Sequence, residues 1–419
     1  MQAILDAFDG EVLPVRTTLG YRFGVLLVAV VMLLLPLLYL GLIAGVAFLI
    51  YYHATTNLGA IKSLRSPWAM VFAYAGPLIA GAVLLFFMIK PLFAGHSKTR
   101  GLKALEFGQE PLLFALVSRL ARSLRTPEPK EIVLDCRVNA SAGFGSLLGA
   151  LTRQNLVLTI GLPLMAGLSV QQLAGVIAHE LGHFSQGTGM RLSYFVRSIN
   201  AWFARVVYER DDWDERLVQW SEESDRLALI FLLARLCVWL TRWLLWMLML
   251  IGHVVSCFLL RHMEYDADRQ MTRVVGTETF QATVRQVAIM ASAEDACFEL
   301  AAYSWHKKHR LPDDLCALLK SLADNLPPQI RQQIEKSLRQ TETGVFDTHP
   351  SDGERLLNAR REKAPGVFHL DWPSTALFFD FSKLSRAITL DFYRLVFGKR
   401  VRREDLVPSS TLLTECSYT

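Results

Sequence analysis

The sequence predicts a mainly α-helical integral membrane protein with a small β-sheet and about four transmembrane helices. Three observations carry that prediction. Two long runs, 23–52 and 67–89, contain no charged side chain. A third apolar stretch covers 227–260, and its final part, 243–260, has no formal charge. Between them lies His179-Glu180-Leu181-Gly182-His183, an H-E-x-x-H motif in a segment with helical patterning. On a helix, positions i and i+4 share a face one turn apart. Two imidazoles so placed bind one zinc ion, and the intervening glutamate serves as a base for water.

The 419 residues are enough for two or three domains, or for one domain plus a membrane part. Residues 1–22 read as a cytoplasmic N-terminal segment and 23–94 as a transmembrane hairpin. Each apolar run of the hairpin exceeds the ~20 residues needed to cross a bilayer. A cleavable signal peptide is not expected, since the first run is too long and ends in Ile50-Tyr51-Tyr52. The net charge of +5 is informative by position. Lys90, Lys98, Arg100 and Lys103 follow the second run and Arg16 and Arg22 precede the first, while the loop holds only Lys62 and Arg65. The positive-inside rule then puts both ends of the hairpin in the cytoplasm. No aromatic-basic interleaving points to nucleic acid. The six cysteines form no C-x-x-C pair, which argues against a disulfide framework or a thiolate zinc site and suits a reducing compartment. Gly143-Phe144-Gly145 lacks the phosphate-loop pattern.

Residues 95–190 read as the first part of a catalytic domain. Residues 155–160 alternate and are β-branched, and Gly161 and Pro163 end them, so a strand leads into the motif helix. In that helix Leu173, Ile177, Leu181 and Phe184 recur at spacings of three and four. This stripe packs inward and leaves Val176, His179 and His183 on a neighbouring face. Gly182 permits close approach of another element beside the metal.

A catalytic zinc needs a third protein ligand and an open position. Downstream, in Arg261-His262-Met263-Glu264-Tyr265-Asp266-Ala267-Asp268, Glu264 and Asp268 are one helical turn apart. Glu264 suits the third ligand, and Asp268 suits an acceptor for the free ring N–H of a ligating histidine. His262 is an alternative ligand on the same helix, pointing to a different side. Zinc shared by His179 and Glu264 requires an even number of membrane crossings between them. Residues 191–260 therefore read as a second membrane-associated helical pair. Either 192–208 crosses outward and 227–260 returns, or neither crosses and both lie at the membrane surface. Arg197 and Arg205, eight apart, share a face, as do Arg235 and Arg242. Residues 261–365 complete the catalytic domain, with helices expected over 281–303, 313–325 and 329–342. Thr348-His349-Pro350 reads as a turn before a helix capped by Asp347 or Ser351. Residues 366–419 form a helical extension, with a helix near 377–397 and little order after Arg400.

The series His179-Glu-Leu-Gly-His183, Glu264-Tyr-Asp-Ala-Asp268 and Thr348-His349-Pro350-Ser351 with Arg355 resembles the motifs of HtpX-type membrane zinc peptidases, to which the type I CaaX prenyl proteases are related. The resemblance spans about residues 20–360. It implies a gluzincin-like peptidase domain with one Zn2+ per chain held by His179, His183 and Glu264, and with Glu180 as general base. It also implies that His349 and Arg355 stabilise the oxyanion or position substrate. Imidazole and guanidinium are natural donors to such a charge. Upstream, Asn139-Ala140-Ser141-Ala142 resembles the family's substrate-binding edge strand, with Ser141 where relatives often have an aromatic residue.

The function so implied is a zinc endopeptidase in quality control of misfolded membrane proteins. Its expected partners are polypeptide substrates and the lipid bilayer, without nucleic acid. The expected place is a bacterial inner (cytoplasmic) membrane with the active site facing the cytoplasm. The alternatives are CaaX-type processing of lipidated peptides and a non-catalytic scaffold or chaperone-like binder. The sequence does not fix the oligomeric state.

Overall fold

A computed structural model describes residues 2–13, 19–57, 59, 61, 63–64, 66–93, 103–106, 108–144, 155–185, 188–208, 228–340, 342–344, 347–398 and 400–416. In chain order these form α1 (Leu19–Thr56), α2 (Pro67–Ile89), β1 (Lys103–Leu105), α3 (Pro111–Ser123), β2 (Glu131–Asp135), β3 (Ala140–Phe144) and β4 (Leu156–Gly161). Next come α4 (Val170–Gly182), α5 (Thr188–Tyr208), α6 (Ala228–Val275), α7 (Thr277–Lys308), α8 (Leu315–Asp324), α9 (Asp352–Glu362) and α10 (Phe381–Val396). The chain divides into two units. One comprises Met1–Leu19, Lys98–Arg191 and Leu260–Thr419, and the other Gly20–Ser97 and Leu192–Leu259.

The second unit is helical. Among the described residues, three helices are long and apolar enough to cross a membrane: Leu19–Thr56, Pro67–Phe93 and Leu232–Val275. The fourth expected helix is present as α5, but it carries Arg191, Arg197 and Arg205 and is not among those three. Its Val196 and Phe203 are fully buried, and Asn200 Nδ2 donates to Ser256 Oγ of α6 at 2.8 Å. A polar side chain on an otherwise apolar bundle is tolerated when a neighbouring helix satisfies it in this way.

The first unit is built on a sheet of order β1-β2-β4-β3. β2 and β4 run parallel, while β1 and β3 flank them antiparallel. The central strands bury Ile132, Leu134, Leu158 and Ile160, and the motif helix α4 packs against β3 and against α3. Helix α4 starts at Ser169 with a capping box. Gln172 N–H donates to Ser169 Oγ at 3.3 Å, and Ser169 N–H to Gln172 Oε1 at 3.0 Å. Two more donors of its first turn reach across the chain, Val170 N–H to Trp372 O at 2.7 Å and Gln171 N–H to Leu370 O at 3.1 Å. The start of the C-terminal extension thus satisfies groups that a helix cannot satisfy alone.

The segment after Arg400 corrects an expectation of little order. Leu406–Val407 pairs parallel with Leu311–Pro312, and Ser409–Cys416 is helical. Val401 and Leu412 are buried, and Ser409 N–H donates to Asp313 Oδ1 at 3.0 Å. Two apolar anchors and a side-chain cap order a stretch whose composition alone shows no periodic signal.

Gly161 closes β4 where the chain approaching β3 passes over it. A Cβ there would lie 1.8 Å from Arg137 O and 2.9 Å from Asn139 O. Gly161→Ala is therefore expected to destabilise the protein by about 1–3 kcal/mol, read as a lower Tm. Gly143→Ala, where a Cβ would meet nothing within 4 Å, is the matched control and should leave Tm unchanged.

Candidate metal centre

Helices α4 and α6 cross in close contact because α4 presents glycine to α6. A Cβ on Gly182 would lie 3.2 Å from Gln270 Cβ and 3.3 Å from Ala267 Cα. One on Gly175 would lie 3.0 Å from Met271 Cε and 3.1 Å from Val275 Cγ2. Two turns separate these glycines, so they share a face. The stripe of Leu173, Ile177 and Leu181 is fully buried and leaves the two histidines on an adjoining face. The crossing brings that face to Glu264.

His179, His183 and Glu264 offer ligand atoms that all lie within 4.8 Å of one another, the one such group among the described residues. His179 Nε2 is 3.4 Å from Glu264 Oε2, and His183 Nε2 is 3.6 Å from Glu264 Oε1. A tetrahedral ion with bonds of about 2.1 Å separates its donors by about 3.4 Å, so the set fits zinc in both spacing and chemistry. His262 is not in this group.

Asp268 lies one turn beyond Glu264 and is almost fully buried. Its Oδ1 is 3.0 Å from His179 Nδ1, at an angle short of a well-aligned hydrogen bond. Arg355 holds the same carboxylate with both arms of its guanidinium, Nη2 to Oδ1 at 2.8 Å and Nε to Oδ2 at 2.9 Å. Burial alone would raise the Asp268 pKa, but Arg355 and then His179 outweigh it and hold the group at about 2. Burial likewise opposes charge on His179, and Asp268 and Glu264 overcome it, raising the ring to about 10. Burial also opposes ionisation of Glu264, yet His179, His349 and His183 keep it far below the usual carboxylate range. The centre is therefore a buried anionic pair of carboxylates that calls for cations. A metal ion held by His179, His183 and Glu264 would supply that positive charge.

His349 sits on the turn before α9, mostly exposed, with Nδ1 3.4 Å from Glu264 Oε2. Ser351 caps α9, its Oγ accepting from Glu354 N–H at 3.3 Å. Glu354 Oε2 accepts from Tyr265 Oη at 2.8 Å and from Thr343 Oγ1 at 2.6 Å, tying this turn to the ligand helix α6. Glu180 follows His179 on α4 and is half-buried. Ala140 and Ala142 are half-buried on β3, Ser141 beside them is exposed, and Asn139 is exposed just before the strand. β3 packs against α4, and the Phe144 ring meets that of Phe184 edge-on at 5.4 Å. Sequence reasoning placed Arg355 at the site, but its bidentate hold on Asp268 has no signal in local spacing. Nor does Tyr265, which helical periodicity marks only as a neighbour of Glu264.

The family model for peptidase family M48 matches residues 109–363, a stretch that contains every residue of this cluster. The Protease HtpX proteins of Actinobacillus pleuropneumoniae serotype 5b (strain L20) and serotype 3 (strain JL03) are similar to this chain. Each is 21% identical over 280 residues, covering 65% of this chain and 89% of the relative. No solved structure matches.

Arg355→Ala leaves the Asp268 carboxylate buried without its strongest partner, which should cost about 3–5 kcal/mol of stability. Arg355→Lys should recover only part, because an ammonium cannot bond both oxygens in the same plane. The depressed Asp268 pKa adds a pH signature. Its stabilisation is fully present above the unfolded value of about 3.9 and is lost as pH falls towards about 2. Thermal unfolding followed from pH 7 to 2 should show that acid limb in the parent protein and a flatter one in Arg355→Ala.

Proposed function

Because the chain belongs to peptidase family M48, we propose that it is a zinc-dependent endopeptidase that degrades misfolded membrane proteins. It is a membrane-associated metallopeptidase, by its family and its three long apolar helices. The observation that carries the proposal is the convergence of His179, His183 and Glu264 on one point.

In this reading His179, His183 and Glu264 hold one zinc ion. Bound there, zinc supplies Lewis acidity, which lowers the pKa of water and polarises a carbonyl. The Glu180 carboxylate takes a proton from the attacking water and delivers it to the amine nitrogen as the C–N bond breaks. Asp268 orients His179, and Arg355 acts through Asp268 as a positioning residue, supported by its bidentate contact. His349 donates to the developing oxyanion in this reading, which its exposed position beside Glu264 supports. The β3 edge receives the substrate as an added strand, which gives affinity with little sequence selectivity and suits unfolded chains.

The proposed setting is a bacterial inner membrane, with the centre facing the cytoplasm. Residues 2–13 support an even number of crossings before the sheet. They dock on the unit that holds the metal centre, Asp9 N–H donating to Val367 O at 2.7 Å and His369 N–H to Ala7 O at 3.0 Å. The hairpin of α1 and α2 meets that count. The basic residues Lys90, Lys98, Arg100 and Lys103 support the cytoplasmic side. The same parity between His183 and Glu264 favours α5 and α6 crossing as a pair.

Glu180→Gln keeps the ligands and removes the base. Purified in detergent, it should retain one zinc per chain and cleave an unfolded membrane protein about 10²–10⁴-fold more slowly than the parent. Cleavage at the parent rate with zinc bound would contradict the mechanism. A preference for a farnesylated peptide over the unfolded protein would shift the substrate class to lipidated chains.

A further inference from the structure

We infer that Glu294, on α7 and outside the metal centre, is a positioning residue for substrate binding because it anchors the corner from which β3 begins. The inference rests on the reading of β3 as the substrate edge. The corner is tight. Asn139 N–H donates back to Arg137 O at 2.9 Å, and Gly161 N–H donates to Asn139 O at 2.7 Å. These bonds leave Val138 N–H pointing elsewhere, and Glu294 Oε1 accepts it at 2.6 Å. A carboxylate accepting from a backbone N–H at this distance makes one of the stronger hydrogen bonds available to a loop.

The position of this corner sets what β3 offers. The 139–161 pair is a hydrogen-bonded pair of the antiparallel ladder, so the pairs Ser141–Thr159 and Gly143–Val157 continue the series. The N–H and C=O groups of Ala140 and Ala142 then point to the other side of β3, on which no strand pairs among the described residues. A peptide added there must bond those two residues. Ala140 lies two residues from the N–H that Glu294 holds. Glu294 belongs to α7, which also packs against α4 and against the short helix Leu162–Gly167 that links β4 to it. One helix therefore supports both the start of the substrate strand and the helix that carries His179 and His183. A shift of that corner moves the backbone groups of β3 that a peptide must bond, which weakens binding while the groups on α4 keep their places.

The test uses the purified full-length protein in detergent with a quenched fluorescent peptide, following KM, kcat and bound zinc. Glu294→Ala should raise KM about tenfold, with kcat within about twofold and zinc unchanged. Glu294→Gln, whose amide oxygen still accepts the Val138 N–H, should restore KM. Glu294→Asp keeps the charge but shortens the reach, so its KM should also rise; it serves if the alanine variant does not fold. An unchanged KM in Glu294→Ala or Glu294→Asp would overturn the inference, as would a fall in kcat and zinc of the same size. Ala142→Pro removes an N–H from the open side of β3 without touching the ladder to β4, and tests the underlying reading separately. If Ala142→Pro raises KM and Glu294→Ala does not, the role of Glu294 fails alone. If Ala142→Pro leaves KM unchanged, the substrate edge itself is wrong and the role of Glu294 falls with it.

Discussion

The close crossing of α4 and α6 is the constraint on which everything else rests. Glu264 meets His179 and His183 only because Gly175 and Gly182 let the two backbones approach along one face. The crossing also buries two carboxylates, Glu264 and Asp268, which is expensive unless cations accompany them. The chain supplies those cations in series. Arg355 satisfies Asp268, Asp268 lies against His179, and His179 and His183 both approach Glu264.

Distant parts of the chain meet around this crossing. Residues 370–372 satisfy the first turn of α4, and 367–369 pair with the N-terminal segment. The turn that carries His349 is tied to α6 through Glu354 and Tyr265. All of these belong to one unit, although residues 20–97 and 192–259 interrupt it. A membrane segment inserted between metal ligands is compatible with one ion only if the chain leaves and returns on the same side. A shared ion would therefore constrain the crossing of α5, although α5 carries none of the three ligands.

The features legible in the sequence are those set by a fixed period. Apolar runs declare bilayer-length helices because their length is physical. His179 with His183, and Glu264 with Asp268, declare themselves because one helical turn is four residues. The strand at 155–160 and the helices at 281–303 and 313–325 follow from the same reasoning. What stayed hidden depends on contacts between remote residues. Arg355 reaches Asp268 across 87 positions, and Glu294 reaches Val138 across 156. The order beyond Arg400 depends on Ser409 finding Asp313 and on Leu412 finding a niche, and neither has a local signature. The motif order pointed to the family, while the ladder register that turns Ala140 and Ala142 outward required coordinates.

The central claim is that one zinc ion joins α4 to α6. X-ray absorption at the zinc edge, on protein purified with its metal, tests it most directly. The account predicts one zinc per chain with only nitrogen and oxygen neighbours at about 2.0–2.2 Å, and loss of that signal in Glu264→Ala. Sulfur in the first shell, or an unchanged spectrum in Glu264→Ala, would contradict it.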